Sequence, residues 1–323
     1  LFRWQTTQKQ IESVKIYLMK IVTSGAKYID IDAYAGCIAY AELLQLQGEQ
    51  ALAVLTAPLN ESISESVRLW NAPLETTYTP SESDEFVLID VSEPEQFDSI
   101  VDLAKVSEVI DHHPGLESYW QEKIGDKAVI EFIGAACTLV YESWVKSGLL
   151  EKMSATSARL LICGILDNTL NFGAKVSTPR DTEAYEALLK IADLPDGWIS
   201  QYFTECQNAI LQDIVSAIQN DTKVLSFRLF DKPIAVGQLV VWDGRKIFSE
   251  YQSQMRETLT AIKPDWLMNL VNISERKSYF VTDNQQVQKW LSELLDVQFD
   301  RQVATADRLW LRKEIIKQDI DKS

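Results

Sequence analysis

The chain has 323 residues, 46% of them hydrophobic, a net charge of −16 and only two histidines. That length exceeds what one small core organises and points to two domains, and no run of about 18 apolar residues is present to cross a membrane as a helix. The acidic excess argues against long polyanionic partners, because nucleic-acid affinity rests on neutralising phosphates with basic side chains.

The charge is unevenly spread. Residues 206–323 hold 16 basic and 16 acidic side chains, so the first 205 residues, with 15 and 31, carry the whole excess. A small anion held through metal ions fits such a surface better than a polymer does, although much of the excess also serves solubility. Cys37, Cys137, Cys163 and Cys206 are scattered through apolar stretches without a CxxC spacing and read as buried free thiols. No cleavage-type small-residue site follows the N-terminal stretch, and a soluble cytoplasmic protein is expected.

In chain order, a helical pattern over residues 8–22 is followed by apolar, β-branched runs alternating with longer helical patterns. The predicted strands are 27–32, 53–57, 86–90, 107–111 and 128–132. The predicted helices are 34–47, 62–70, 138–147, 155–165 and 182–191. This alternation is the signature of βαβ units and a parallel sheet with helices on both faces. After Leu194-Pro195-Asp196-Gly197 the pattern changes. A long predicted helix over 200–220 leads into the apolar runs KVLSFRLF, IAVGQLVVW, WLMNLVNI and SYFVTD, with helical patterns at 251–262 and 285–295. The expected architecture is therefore α/β, with an N-terminal parallel-sheet domain over residues 1–195 and a smaller C-terminal α/β domain with a mixed sheet over 206–323.

Three of the predicted strands end in aspartate: Asp30 and Asp32, Asp90, and Asp111. In open parallel sheets ligands bind beyond the carboxyl ends of the strands, so these acids can converge although they lie far apart in sequence. The two histidines are neighbours, in SEVIDHHPG, directly after Asp111. One imidazole there can ligate a metal while the other meets an anion, with Asp111 orienting a ring; a histidine pair in a turn before Pro114 is the structural alternative. Asp30-Ile31-Asp32 can serve two metals or can simply cap the helix that follows, and the small residues Ala33, Ala35 and Gly36 let that helix start close to the site. Aspartates with one imidazole form a hard-oxygen set that suits manganese, magnesium or cobalt better than thiolate-bound zinc. Two such ions about 4 Å apart would activate a shared water and clamp a phosphoryl group.

The ordered segments DIDAYAGCIAYAELL, FVLID, VIDHHPG, IGAACTLVYE and GILDNTLNF resemble the sequential motifs of DHH phosphoesterases. The likeness is strongest to the branch that contains manganese-dependent family II inorganic pyrophosphatases and exopolyphosphatases. It implies that Asp30, Asp32, Asp90 and His112 ligate metals, most naturally two Mn2+ ions with Mg2+ or Co2+ as alternatives. It implies that His113, backed by Asp111, does catalytic work and touches the substrate or leaving group. Alignment on Thr169-Leu170 puts Asn168 where the family has its last metal-binding aspartate, while a shift of one residue puts Asp167 there; Asp167 is the candidate ligand. In the second domain the resemblance implies that Lys223, Arg312 and Lys313 bind substrate and close over an anion.

The pattern departs from the family in three places. Ala26 stands where pyrophosphatases of this kind have a histidine, and Leu311 and Glu314 replace a serine and a lysine near the terminal Arg-Lys pair. The function expected is hydrolysis of a phosphoanhydride or phosphoester in a small anionic substrate, without membrane or nucleic-acid partners and with a homodimer as the candidate assembly. The rivals are a member that binds phosphate ligands or proteins without turnover and an oligonucleotide phosphodiesterase. No glycine-rich GGGH motif of the nuclease branches occurs.

Overall fold

A computed structural model describes residues 18–322. The N-terminal half is built on a five-stranded sheet of order β2-β1-β3-β4-β5. Its strands are β1 (Met19–Thr23), β2 (Gln50–Ala53), β3 (Glu85–Ile89), β4 (Val106–Asp111) and β5 (Ala128–Ile130), and every pairing is parallel. The helices are α1 (Ile31–Leu46), α2 (Glu65–Arg68), α3 (Glu117–Ile124), α4 (Ala136–Ser147), α5 (Ala155–Asn168), α6 (Pro179–Ala192) and α7 (Trp198–Gln212). The chain runs from β1 outward to β2 and then crosses back to β3. The strand order therefore reverses between β1 and β3, and such a reversal leaves a crevice at the carboxyl ends of the strands.

The C-terminal half carries α8 (Ile214–Asn220), β6 (Thr222–Phe227), β7 (Phe230–Val241), α9 (Gly244–Ile262), β8 (Trp266–Asn272), β9 (Lys277–Val281), α10 (Gln285–Leu295), β10 (Phe299–Asp300), β11 (Val303–Ala306) and α11 (Arg312–Lys322). Its six strands form one sheet of order β10-β11-β9-β8-β7-β6. The β7–β8 pair is parallel and the other pairings are antiparallel, so the sheet is mixed as expected.

Three differences from the expected elements matter for function. Residues 19–22 belong to β1 rather than to a helix, and the rest of the stretch predicted over 8–22 lies, up to residue 17, outside the described residues. Pairing of Lys-Ile-Val-Thr with strands on both sides overrides its helix-compatible spacing, as tertiary context commonly does for a short apolar run. The predicted strand over 27–32 does not form. Asp30 adopts an extended backbone as N-cap of α1 and accepts from Ala33 N at 3.1 Å, so the helix starts at Ile31. The helix expected over 200–220 is also broken. Asp213 leaves helical geometry (φ −143°, ψ 74°) and caps α8 through Ser216 N at 3.0 Å. The break divides two cores: Trp198, Tyr202 and Phe203 of α7 pack in the N-terminal core, whereas Ile214 and Ile218 of α8 pack against the second sheet.

Candidate metal centre

Asp32 sits in the first turn of α1 and is fully buried. The N-terminus of α4 points at it. Ala135, the N-cap of α4, supplies no side-chain cap, and the carboxylate of Asp32 does so from a distance in sequence, accepting Ala136 N at Oδ2 and Cys137 N at Oδ1, both at 2.8 Å. A negative charge is favoured there by the free N–H groups and by the helix dipole. Asn168 Nδ2 donates to the same Oδ2 from the end of α5. Gly164 lets α5 come this close, because a Cβ at that position would collide with Cys137 Sγ and lie 3.1 Å from Asp32 Oδ1. Gly36 serves α1 in the same way against Ile89, the last residue of β3.

Asp90 follows β3 with φ at +61°, a left-handed conformation that an aspartate tolerates better than most residues. Its N–H donates to Ile110 O at 2.8 Å, which keeps the turn against β4. At the end of β4, Asp111 Oδ1 accepts three N–H groups: His112 N at 2.7 Å, His113 N at 3.2 Å and His113 Nδ1 at 2.8 Å. This fixes the tautomer of His113, with its Nε2 turned away from Asp111. His112 is fixed in a different way. Its Nδ1 lies 3.0 Å from Ile133 O, and because a carbonyl only accepts, Nδ1 carries the proton. The other nitrogen, Nε2, then faces carboxylates, 3.3 Å from Asp90 Oδ1 and 3.9 Å from Asp32 Oδ2.

A neutral imidazole in this tautomer presents a lone pair to two carboxylates, an arrangement stable only with a cation or an extra proton between them. Asp90 Oδ1 is buried and makes no hydrogen bond. The ligand atoms of Asp90, His112 and His113 lie within 4.8 Å of one another. Two ligands sharing an ion at about 2.1 Å stand roughly 3 Å apart, so the donor set and its spacing suit a divalent cation. Without one, electrostatics is strained. Burial, then the charges of Asp32 and Asp30, push the Asp90 carboxyl upward. Burial works against a charged His112, but Asp90 and Asp32 outweigh it and raise the ring's pKa.

The chain is similar to known proteins. Residues 20–165 match the N-terminal domain of the DHH family. The stretch that carries the centre is similar to a DHH domain. A probable manganese-dependent inorganic pyrophosphatase of Clostridium acetobutylicum is 27% identical over 239 residues, 73% of this chain and 74% of that protein. One of the same description from Staphylococcus carnosus is 24% identical over 302 residues, 90% of this chain and 95% of that one. Among solved structures, a Methanococcus jannaschii protein described as a candidate family II inorganic pyrophosphatase superposes with a TM-score of 0.58 at 19% identity, covering 94% of this chain and 100% of that one. An exopolyphosphatase-related protein of Bacteroides fragilis superposes with a TM-score of 0.51 at 13% identity, covering 94% and 91%. Both structural matches are likenesses of fold.

Asp167 and Asn168 lie in the last turn of a helix. The expectation that a one-residue shift turns the side chain the opposite way holds for a strand, whereas a helix step is about 100°. Both residues therefore reach the acidic group. Asn168 contacts Asp32, and Asp167 Oδ1 lies 3.1 Å from the Tyr202 hydroxyl. Burial, followed by the charge of Asp30, pushes the Asp167 carboxyl up to about 7.

The expected substrate residues of the second half are placed differently. Lys223 on β6 and Lys313 on α11 are exposed. Arg312 is buried, and its guanidinium donates to Asp221 Oδ1 at 2.5 Å, Asp221 O at 2.7 Å and Val236 O at 3.2 Å. Its fork is spent inside the C-terminal half. Sequence reasoning did not single out Ile133, whose carbonyl orients His112, or the N–H groups of Ala136 and Cys137. The run Ile133-Gly134-Ala135-Ala136 before a helical pattern carried the signal, since small residues there admit a close partner; a Cβ on Gly134 would meet Asp181 and Thr169. Tyr28 was missed as well. It is 52% exposed, and burial, then the charges of Asp30, Asp90 and Asp221, raise its hydroxyl pKa.

Proposed function

We propose that the chain is a divalent-cation-dependent phosphohydrolase, using Mn2+ by preference, that cleaves a phosphoanhydride or phosphoester bond in a small anionic substrate. The observation that carries this reading is the buried, unpartnered Asp90 Oδ1 facing Nε2 of His112, the ring nitrogen turned away from Ile133 O. In this reading Asp90 and His112 hold the cation, and Asp30, Asp32 and Asp167 complete its acidic wall. The cation would supply Lewis acidity and a water of lowered pKa. His113 is the proton donor to the leaving oxygen. The hydrogen bond from its Nδ1 to Asp111 raises its pKa, which keeps the ring protonated nearer neutrality, and that bond leaves Nε2 to meet an anion. Lys223 and Lys313 offer exposed ammonium groups to the same anion, while Arg312 first has to leave Asp221.

A second reading, a phosphate-binding protein without turnover, is favoured by Asn168, whose neutral amide occupies an oxygen of Asp32. A screen of pyrophosphate, short polyphosphate, nucleotides and dinucleotides with Mn2+ decides between the two. Phosphate release that is lost in Asp90→Asn supports the hydrolase, and binding without release from any substrate supports the second reading.

A further inference from the structure

The expectation of two metal ions meets an obstacle in the side chains themselves. An ion shared with a second site needs carboxylate oxygens free to bridge, because two divalent ions about 4 Å apart repel strongly unless negative charge stands between them. Asp32 Oδ2 is the oxygen that looks toward His112, and it already accepts Ala136 N and Asn168 Nδ2. A carboxylate oxygen has about two acceptor positions, so both are used. Oδ1 takes Cys137 N and is backed by Gly164. Asp32 is thus bound into α4 and α5 by three N–H donors.

The remaining carboxylates are poorer ligands. Asp30 accepts Ala33 N as the cap of α1, and Asp167 lies against the Tyr202 hydroxyl. No imidazole can join them, since the chain's two histidines are His112 and His113 and position 26 is an exposed alanine. Among the described residues, the group of three ligands close enough to share an ion is Asp90, His112 and His113.

We propose that the centre holds a single divalent cation, at Asp90 and His112, and that Asn168 locks Asp32 into a positioning role that keeps a second ion out. This rests on the metal-dependent reading above and sharpens it. Replacing the Asn168 amide by a carboxylate removes one donor from Asp32 Oδ2 and frees that oxygen to bridge two ions, so Asn168→Asp should admit the second.

The test counts ions without relying on turnover. The metal-free chain is titrated with Mn2+ by calorimetry, and electron paramagnetic resonance of the loaded protein separates an isolated ion from an exchange-coupled pair. The expected result is one isolated Mn2+ per chain in the wild type and two, coupled, in Asn168→Asp. Two coupled ions in the wild type overturn the proposal, and this arm needs no variant to fold. A folded Asn168→Asp that still binds one ion overturns the role given to Asn168. One isolated Mn2+ in a wild type that hydrolyses nothing keeps this inference and removes the hydrolase reading, whereas two ions with hydrolysis do the reverse. No Mn2+ bound at all overturns both.

Discussion

The carboxyl ends of β1, β3 and β4 and the surface of the C-terminal half treat their charges in opposite ways. At the strand ends the groups are locked: buried Asp32 by three N–H donors, His112 by Ile133 O, and the more exposed His113 by buried Asp111. In the C-terminal half Lys223 and Lys313 stand in solvent, and the buried cation, Arg312, is already paired with Asp221. A buried charge has its geometry fixed by the fold because leaving it unsatisfied is costly, while an exposed ammonium keeps its rotamer freedom until a ligand arrives. The first region is organised before any ligand binds, and the second acquires its geometry only with one.

The sharpest break of this comparison is a pair of variants, one from each region. Asp90→Asn removes the charge that faces His112, and turnover should fall by about 10³-fold or more, roughly 4 kcal/mol. Lys223→Ala removes one charge-assisted contact, worth about 1.5 to 3 kcal/mol, so kcat/KM should fall about 10- to 150-fold. Steady-state kinetics at saturating Mn2+ checks both. Equal small losses would erase the difference between the two regions.

Arg312 tests the same contrast through stability. Its side chain is 10% exposed and Asp221 is 43% exposed, so the pair is partly screened. Arg312→Ala should lower the unfolding free energy by about 1 to 3 kcal/mol, because it removes the guanidinium's hydrogen bonds to the Asp221 carboxylate and to the Asp221 and Val236 carbonyls. Denaturant melts at neutral pH measure this. A loss of substrate affinity with unchanged stability would move Arg312 from scaffold to binding group.

Asp167 shows what burial does without a cation. Its carboxyl is pushed up to about 7 from 3.8, chiefly by burial and then by Asp30, so the folded state holds its proton more tightly than the unfolded chain does. The stability this contributes is full below pH 3.8 and is lost as pH rises through about 7. Metal-free Asp167→Asn should therefore gain on the wild type above neutral pH, by roughly 1 to 3 kcal/mol at pH 8, and gain little at pH 4. Thermal melts across that range give the answer. Added Mn2+ should shrink the gain, since a nearby dication stabilises the carboxylate of the wild type.

Much of this was legible in the residues. The apolar runs ending at Asp90 and Asp111 are strands because β-branched residues fill a sheet buried on both faces, and the adjacent histidines mark its working end. The segment before Asp30 was misread. A strand over 27–32 and a helix capped at Asp30 share the same apolar residues, and the choice depends on β1 finding β2 and β3, which are far away in sequence. The same limit hid Asp32's true partners. That Ala136, Cys137 and Asn168 lie 104 to 136 residues away and supply its donors follows from how α4 and α5 pack, and no local pattern carries it.

The smallest expected effect concerns the boundary between the locked region and the substrate. His113 is 63% exposed at its side chain, yet its Nδ1 is held by fully buried Asp111, so it belongs to both regimes. The hydrogen bond to Asp111 raises the ring's pKa, so the protonated form needed to meet a leaving anion persists to higher pH than in a free imidazole. Activity that requires this proton falls as pH rises through the raised pKa. Asp111→Asn keeps an oxygen to accept the backbone N–H groups of His112 and His113 but removes the charge, and the basic limb of kcat should move down by about one pH unit, with KM changing less than threefold. NMR titration of the His113 ring in the metal-free protein should show a downward shift in the same variant. A basic limb that stays in place while the ring's own titration moves would mean that His113 is not the proton donor, and that the exposed edge of the centre binds the substrate without transferring a proton to it.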